Sequence, residues 1–324
     1  MPPMSGQPTS RRTVLRALGG LGLVAALPAC ASAYSDLHLT VATGSRNGVY
    51  FALGGALATA WRDALGMRTP PVVTSTDGSI NNLQLLADRK ADVAFNQIDT
   101  AADRFAHSAA ADPASLRALA RIYDDVVHVV VPASSSLTSL AQLRGARVAL
   151  GSEGSGVLFM AQRVLQALGI SPSEDLKAVH IGLDASVVAL REGGIDAFFW
   201  SGGLPTLGVA DLAASMPIRL LNLQEDLTRI HAAYPEYAPG TVPAGTYGLA
   251  QPVTTLLLRN VLLVRADMAD DVAYSLVAAL FTRQEQIAQS SPSALTIDMR
   301  AAIGTQPVPL HPGAERWFRQ ARNG

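Results

Sequence analysis

LTVATGSRNGVYFALGGALATAW, residues 39–61, joins a strand, a glycine-bounded turn and a helix in one run. LTVATG alternates and is β-branched like a short strand, and from Val49 onward apolar residues recur at helical spacing. Between them stands GSRNG. Gly44 and Gly48 let backbone approach a ligand without Cβ interference, and the unpaired amides at the start of the helix point at whatever fills the turn. In outline that is an anion site. An ordinary strand-to-helix turn is the competing reading, because glycine-rich turns are common in α/β proteins.

The same unit recurs downstream. Arg147–Leu150 reads as a strand, GSEGSG (Gly151–Gly156) as a polar turn, and Val157–Leu168 as a helix with Gly169 at its C-terminus. Between the two units, Val72–Thr76 reads as a strand running into Asp77-Gly78-Ser79. A helix with Ser79 as N-cap follows, carrying Ile80, Leu83, Leu86 and Ala87 on one face, and then the strand ADVAFNQ, residues 91–97. Arg117–Val131 is strand-rich and crosses out of this first region. Val179–Gly182 and Ile195–Trp200, with the helix Ala185–Glu192 between them, extend a second parallel sheet. Ile218–Leu223 reads as a strand, Tyr234–Tyr247 as an irregular Pro/Gly/Tyr stretch, and Leu256–Val264 as a return strand. The second crossing is expected between Gly245 and Thr255. Met268–Gln289 reads as one amphipathic helix, and a short helix closes the chain. The pattern predicts two α/β lobes joined by two crossovers: residues 37–126 with 250–324 as lobe I, and 127–249 as lobe II.

The N-terminus reads as an export signal. SRRTVLR (Ser10–Arg16) carries twin arginines, and the apolar run Ala17–Leu27 behind it is too short and too glycine-rich for a membrane span. Leu27-Pro28-Ala29-Cys30 resembles a bacterial lipobox. Cys30 is the only cysteine in the chain, which predicts a signal peptide of residues 1–29, lipidation at Cys30 and a tether over 30–36. The competing reading is an idle cysteine in a discarded segment. A single cysteine leaves no intramolecular disulfide, so stability must come from the core. Removing residues 1–29 takes three arginines and no acid, which moves the formal charge from -1 to -4. No Lys/Arg cluster follows the signal, so nucleic acid is not an expected partner.

Catalytic patterns are absent from the sequence. GSEGSG has the spacing of a phosphate loop, but Val157 and Leu158 stand where Lys and Ser/Thr are required. Neither Ser152 nor Ser155 sits in a nucleophile elbow. The six histidines show no metal-ligand spacing, and His128 and His180 lie in apolar strands. We therefore expect no enzyme, no metal and no cofactor. What remains is small polar residues at three helix starts: Ser45, Arg46 and Asn47; Ser79 and Asn82; Ser152 and Ser155. Such donors at strand ends suit a small anion such as a carboxylate. Arg46 offers a bidentate partner for it, or simply faces water. Tyr50 and Trp200 read as cleft walls or as ordinary core.

Seven segments in order carry a family resemblance: ATGSRNGVYFALG, DGSINNLQLLADRKADVAFNQID, VHVVV, LAQLRGARVALGSEGSGVLFMAQRVLQALGI, IDAFFWSGGLP, PEYAPGTVPAGTYG and PLHPGAERWF. From about Leu37 to Phe318 the chain resembles the TAXI group of TRAP-transporter solute-binding proteins. The resemblance implies an α/β, two-lobed type II periplasmic-binding-protein fold with the ligand cleft between lobes and two crossover hinge strands. It also implies capture of a small organic acid, a dicarboxylate or an amino acid such as glutamate, for delivery to a TRAP membrane permease. Gly44, Ser45, Tyr50, Ser79, Asn82, Gln97, Asp99, Ser155 and Gly156 are the positions it places at or near the ligand. Arg46 and Val157 depart from the family pattern, where a small residue and Thr are usual. A receptor for an ABC importer and a sensory lipoprotein are the alternative functions.

Overall fold

The structure, a computed structural model, describes residues 33–107 and 115–323. The expected signal peptide and Cys30 lie outside the described residues. In chain order the elements are β1 (Thr40–Ala42), α1 (Val49–Leu65), β2 (Val72–Thr74), α2 (Ser79–Ala87), β3 (Val93–Gln97), α3 (Ile98–Ala106) and β4 (Leu116–Pro132). Next come β5 (Arg147–Ala149), α4 (Gly156–Ala167), α5 (Pro172–Asp175), β6 (Lys177–Val179), α6 (Leu183–Arg191), β7 (Ala197–Gly202), α7 (Leu207–Ser215) and β8 (Ile218–Leu220). The chain closes with α8 (Leu227–Ala233), β9 (Tyr237–Val242), β10 (Val253–Arg265), α9 (Asp270–Thr282), α10 (Gln284–Ser290) and α11 (Pro312–Asn323).

One sheet runs through the molecule in the order β2-β1-β3-β10-β4-β7-β5-β6, with β8 on β4 and β9 on β10. Its two ends are parallel: β1 pairs with β2 and β3, and β5 pairs with β6 and β7. The long antiparallel strands β4 and β10 join them. β4 pairs with β10 up to Val126 and then with β7, starting from Val126 opposite Gly202. β10 pairs with β9 as far as Leu258 and with β3 from Asn260. Each crossing strand therefore changes partner near its middle.

The side-chain alternation of the strands sorts the core into faces. Ala42 and Ala94 join Val127 and Val129 in one buried cluster that runs beneath both halves, under α2, α3 and α4. Val41, Val93 and Phe95 point the other way, into a cluster covered by α1, α9 and α11. Val126, Val130 and Phe198 likewise pack under α6 and α7. The sheet thus has a continuous core on one face and two separate cores on the other, and the gap between those two leaves room for a cleft.

Three local expectations are corrected. Ser79 is not the N-cap of α2: Gly78 is, at φ 118, a conformation that suits glycine, while the Ser79 hydroxyl accepts from the Gln97 amide at 3.1 Å. The stretch read as irregular contains the strand β9. Pro239 is tolerated there opposite Leu256, and at Gly240 a side chain would meet Leu257 Cγ at 2.5 Å. The single helix expected over 268–289 breaks at Arg283, beyond which the Gln284 amide donates to the Ala294 and Ile297 carbonyls.

Candidate ligand cleft

Five helices begin at one cleft of about 620 Å³: α1 at Gly48–Val49, α2 at Gly78–Ser79, α4 at Ser155–Gly156, α6 at Gly182–Leu183 and α7 at Thr206–Leu207. Ser155 caps its own helix, accepting from Leu158 N at 3.1 Å. Gly48, Gly78, Gly182 and Thr206 provide no side-chain cap. Asn81 N of α2 donates to the Gly154 carbonyl; the other first-turn amides of these four helices have no side-chain cap, and the helix dipoles favour negative charge in the space between them.

Of the positions singled out from sequence, Gly44, Ser45, Arg46, Tyr50, Ser79, Gln97, Ser152, Ser155, Gly156 and Trp200 line this cleft. Arg46 lies at its exposed mouth, with the guanidinium 5.3 Å from the Phe51 ring centroid. Tyr50 packs against Phe95 and Tyr123 and donates to Asn260 Oδ1. Trp200 donates to Thr206 Oγ1 at 3.0 Å, and that hydroxyl in turn donates to the Gly203 carbonyl.

Asn82 and Asp99 lie off the cleft lining. Asn82 is fully buried and donates to the carbonyls of Thr43 and Phe95 at 2.6 and 2.7 Å while accepting from Thr76 Oγ1. It ties β1, β2 and β3 together behind the α2 turn. Asp99 is buried beneath the sheet, where Tyr237 donates to it at 2.7 Å and Thr100 N donates at 2.7 Å. Burial raises its pKa to about 7.

The floor holds residues that the sequence reading did not single out. Asp125 is 3% exposed; its Oδ2 accepts from Gln97 Nε2 at 3.0 Å and from Ser201 Oγ at 3.1 Å. Burial raises its pKa to about 6, against the pull of the Gln97, Asn260 and Ser201 donors, with Asp124 adding repulsion. Gln97 Oε1, Asp125 Oδ1 and Asn260 Nδ2 form no hydrogen bond of good geometry. A polar residue inside an apolar run is the signal that marks two of them: Asp125 in RIYDDVVHVVV and Asn260 in LLLRNVLLV.

The two halves touch around the cleft. Asn81 N donates to the Gly154 carbonyl at 3.0 Å, and Asn47 Nδ2 reaches both Asp184 carboxylate oxygens at 3.4 Å. At Gly156 a methyl would sit 2.0 Å from Gln97 Oε1 and 2.8 Å from Ser79 Oγ, so only glycine fits this approach. Tyr247 OH accepts from Thr206 N at 2.7 Å and lies 3.1 Å from His128 Nε2. His128 is buried, its pKa lowered to about 4, and its Nδ1 bonds to the Val126 carbonyl. The imidazole is therefore neutral with the proton on Nδ1, and Tyr247 donates to Nε2. That chain holds the Gly203–Thr206 wall. Among the described residues no group of three or more His, Cys, Asp or Glu is placed to hold a metal, and no helix is long and apolar enough to cross a membrane.

Two α/β halves on a shared sheet, crossed by two long strands and enclosing a cleft ringed by helix starts, define the two-lobed fold of periplasmic solute-binding proteins. The chain belongs to the NMT1-like family, whose model matches residues 41–321. Three solved structures are similar to it. A putative L-cystine ABC transporter protein from Listeria monocytogenes is 13% identical at a TM-score of 0.51, covering 80% of this chain and 96% of that one. A chloride-bound protein from Xanthomonas citri is 16% identical at 0.51, covering 87% and 95%. A protein from Bordetella bronchiseptica RB50 is 18% identical at 0.51, covering 87% and 88%.

Proposed function

We propose that this protein is an extracytoplasmic receptor that captures a small organic acid by closure of two lobes, 37–126 with 250–324 against 127–249, and passes it to a membrane permease. The observation that carries this reading is the convergence of four helix starts without side-chain caps on one cleft. Amides and dipoles so arranged hold an anion without any covalent step. Closure fits the rim contacts Asn47–Asp184 and Asn81–Gly154, which join the two proposed lobes. Export, by the twin-arginine route, and lipid anchoring at Cys30 are part of the same proposal and rest on the N-terminal sequence.

For the transporter partner, the order of seven sequence segments supports a TRAP permease, whereas the similarity to the Listeria monocytogenes ABC transporter protein supports an ABC importer. Gene neighbourhood discriminates: a fused TRAP permease gene beside this one favours the first, and a permease with an ATPase gene favours the second.

A thermal-shift panel of monocarboxylates, dicarboxylates and amino acids tests the ligand class. A true ligand at a hundred times its Kd stabilises the folded state by about 2.7 kcal/mol. No shift with any organic acid refutes the reading.

A further inference from the structure

The lining of the cleft divides by chemistry. Its charged side chains are Arg46, Asp77, Asp124 and Asp125, one cation against three acids. Arg46 is exposed at the mouth beside Phe51, where an ion pair formed in water contributes little. A second carboxylate on the ligand therefore finds no desolvated counter-charge. Apolar side chains gather instead at the starts of α1, α6 and α7. Val49, Ile181, Trp200, Leu204 and Leu207 line the cleft there, and none is buried: Leu207 is 60% exposed and the other four are partly exposed. They come from both halves, since a Cβ at Gly203 would lie 3.1 Å from Val49 Cγ2, which sets α1 against the Gly203–Thr206 wall. Trp200 has given its one donor to Thr206 Oγ1, at 3.0 Å, and offers the ligand only its ring. Exposed apolar side chains collected on one concave surface mark a binding face. The space is also large. With the rim contacts Asn47–Asp184 and Asn81–Gly154 made, the cleft still holds about 620 Å³, inside the range of about 300–1,000 Å³ that encloses ligands of drug size.

We propose that the ligand is a monocarboxylate with a bulky apolar body, its single acid lying against the helix starts and its body against the wall of Val49, Ile181, Trp200, Leu204 and Leu207. This rests on the reading of the cleft as an organic-acid site and narrows it, away from the dicarboxylates and glutamate that the sequence resemblance implies. Binding energy then comes mainly from apolar area removed from water, about three- to fourfold in affinity for each methylene buried. A dicarboxylate of the same length puts its second charge on that wall, and desolvating an unpaired carboxylate works against binding. Asp77, Asp124 and Asp125 reinforce the choice, because they repel a second anion and leave an apolar group untouched.

Isothermal titration of the mature protein tests this with straight-chain acids from butanoate to octanoate, with L-glutamate, and with the pairs hexanoate against adipate and octanoate against suberate, in which a carboxylate replaces the terminal methyl. Affinity should rise along the series by about three- to fourfold per methylene, and each monocarboxylate should bind at least about tenfold more tightly than its diacid. Leu207→Gln, a neutral change at an exposed position, should weaken octanoate by about three- to tenfold and leave butanoate within about twofold. Diacids or L-glutamate that bind as tightly as the monocarboxylates overturn the proposal and leave the organic-acid site standing. So does an affinity that does not grow with chain length, or octanoate binding unchanged by Leu207→Gln. If no acid of either kind binds, both readings fall. Should Leu207→Gln fail to fold, the wild-type series alone decides.

Discussion

Asp125→Asn should make the ligand-free protein more stable. In the folded state burial raises this carboxyl from 3.8 to about 6, so keeping it ionised there costs about 3 kcal/mol relative to the unfolded chain. The sign follows from proton binding. Between those two pKa values the folded protein holds a proton that the unfolded chain has released, so stability falls as pH rises through the window and the full cost applies above it. Asparagine cannot ionise and keeps an oxygen for Gln97 and Ser201. Its new amide takes the place of Oδ1 close to Asn260, so the expected gain at pH 8 is about 1–3 kcal/mol, or a few degrees in Tm for a chain of this size. At pH 5 the wild-type acid is largely protonated, and the gain should fall to about half. Asp99, with its pKa also raised by burial, contributes equally to both proteins and cancels. Scanning calorimetry of the ligand-free mature chain at the two pH values measures both numbers. A variant that melts no higher than the wild type at pH 8, or whose advantage is the same at pH 5, refutes the account of Asp125 as an uncompensated buried charge.

Other positions give separable outcomes. Gly156→Ala should cost about 1–3 kcal/mol and weaken ligand binding, because the added methyl drives into Gln97 Oε1 and Ser79 Oγ; paired melting and titration curves check it. Asn82→Ala should lower stability in urea by about 2 kcal/mol, since it removes the side-chain donor to the Phe95 carbonyl and leaves the Thr43 carbonyl to Thr76 Oγ1 alone, while affinity changes little in protein that stays folded. Tyr247→Phe removes the acceptor for Thr206 N and the donor to His128. It should cost about 1–2 kcal/mol, and the release of the Trp200 wall should appear as altered tryptophan emission.

The fold was legible because it rests on local periodicity. The α1 helix starts at Val49, where the apolar spacing begins, and is capped by Gly66 at φ 65; the α4 unit repeats the pattern with Gly169, expected at its C-terminus, at φ 70. The elements missed were those decided by distant partners. β9 is a strand because β10 pairs with it, which overrides the Pro and Gly in its sequence. Within the candidate site, the helix-start residues could be read from turn chemistry, but the roles of Asn82 and Asp99 could not. Both stand beside the same turns as the lining residues, and only the direction of the side chain separates a carbonyl tie or a hydrogen bond to Tyr237 from a wall of the cleft. Asp125 and Asn260 were visible as polar interruptions of apolar strands. Their meeting at one floor depends on sheet register, which no single segment encodes.

That register explains why the polar atoms collect where they do. Gln97 ends β3 opposite Asn260 of β10, and Ser201 of β7 pairs with Val127, two residues beyond Asp125 on β4. All four residues lie where the long strands exchange one half's partners for the other's, at the carboxyl ends of β3 and β7. A ligand in an open α/β sheet enters at such a switch point. A sequence selected for stability alone would fill this junction with apolar side chains, as it does one residue along at Val126 and Val261. Leaving a carboxylate there, among neutral donors and with no cationic partner, destabilises the empty protein, as expected of a position kept for function rather than for stability.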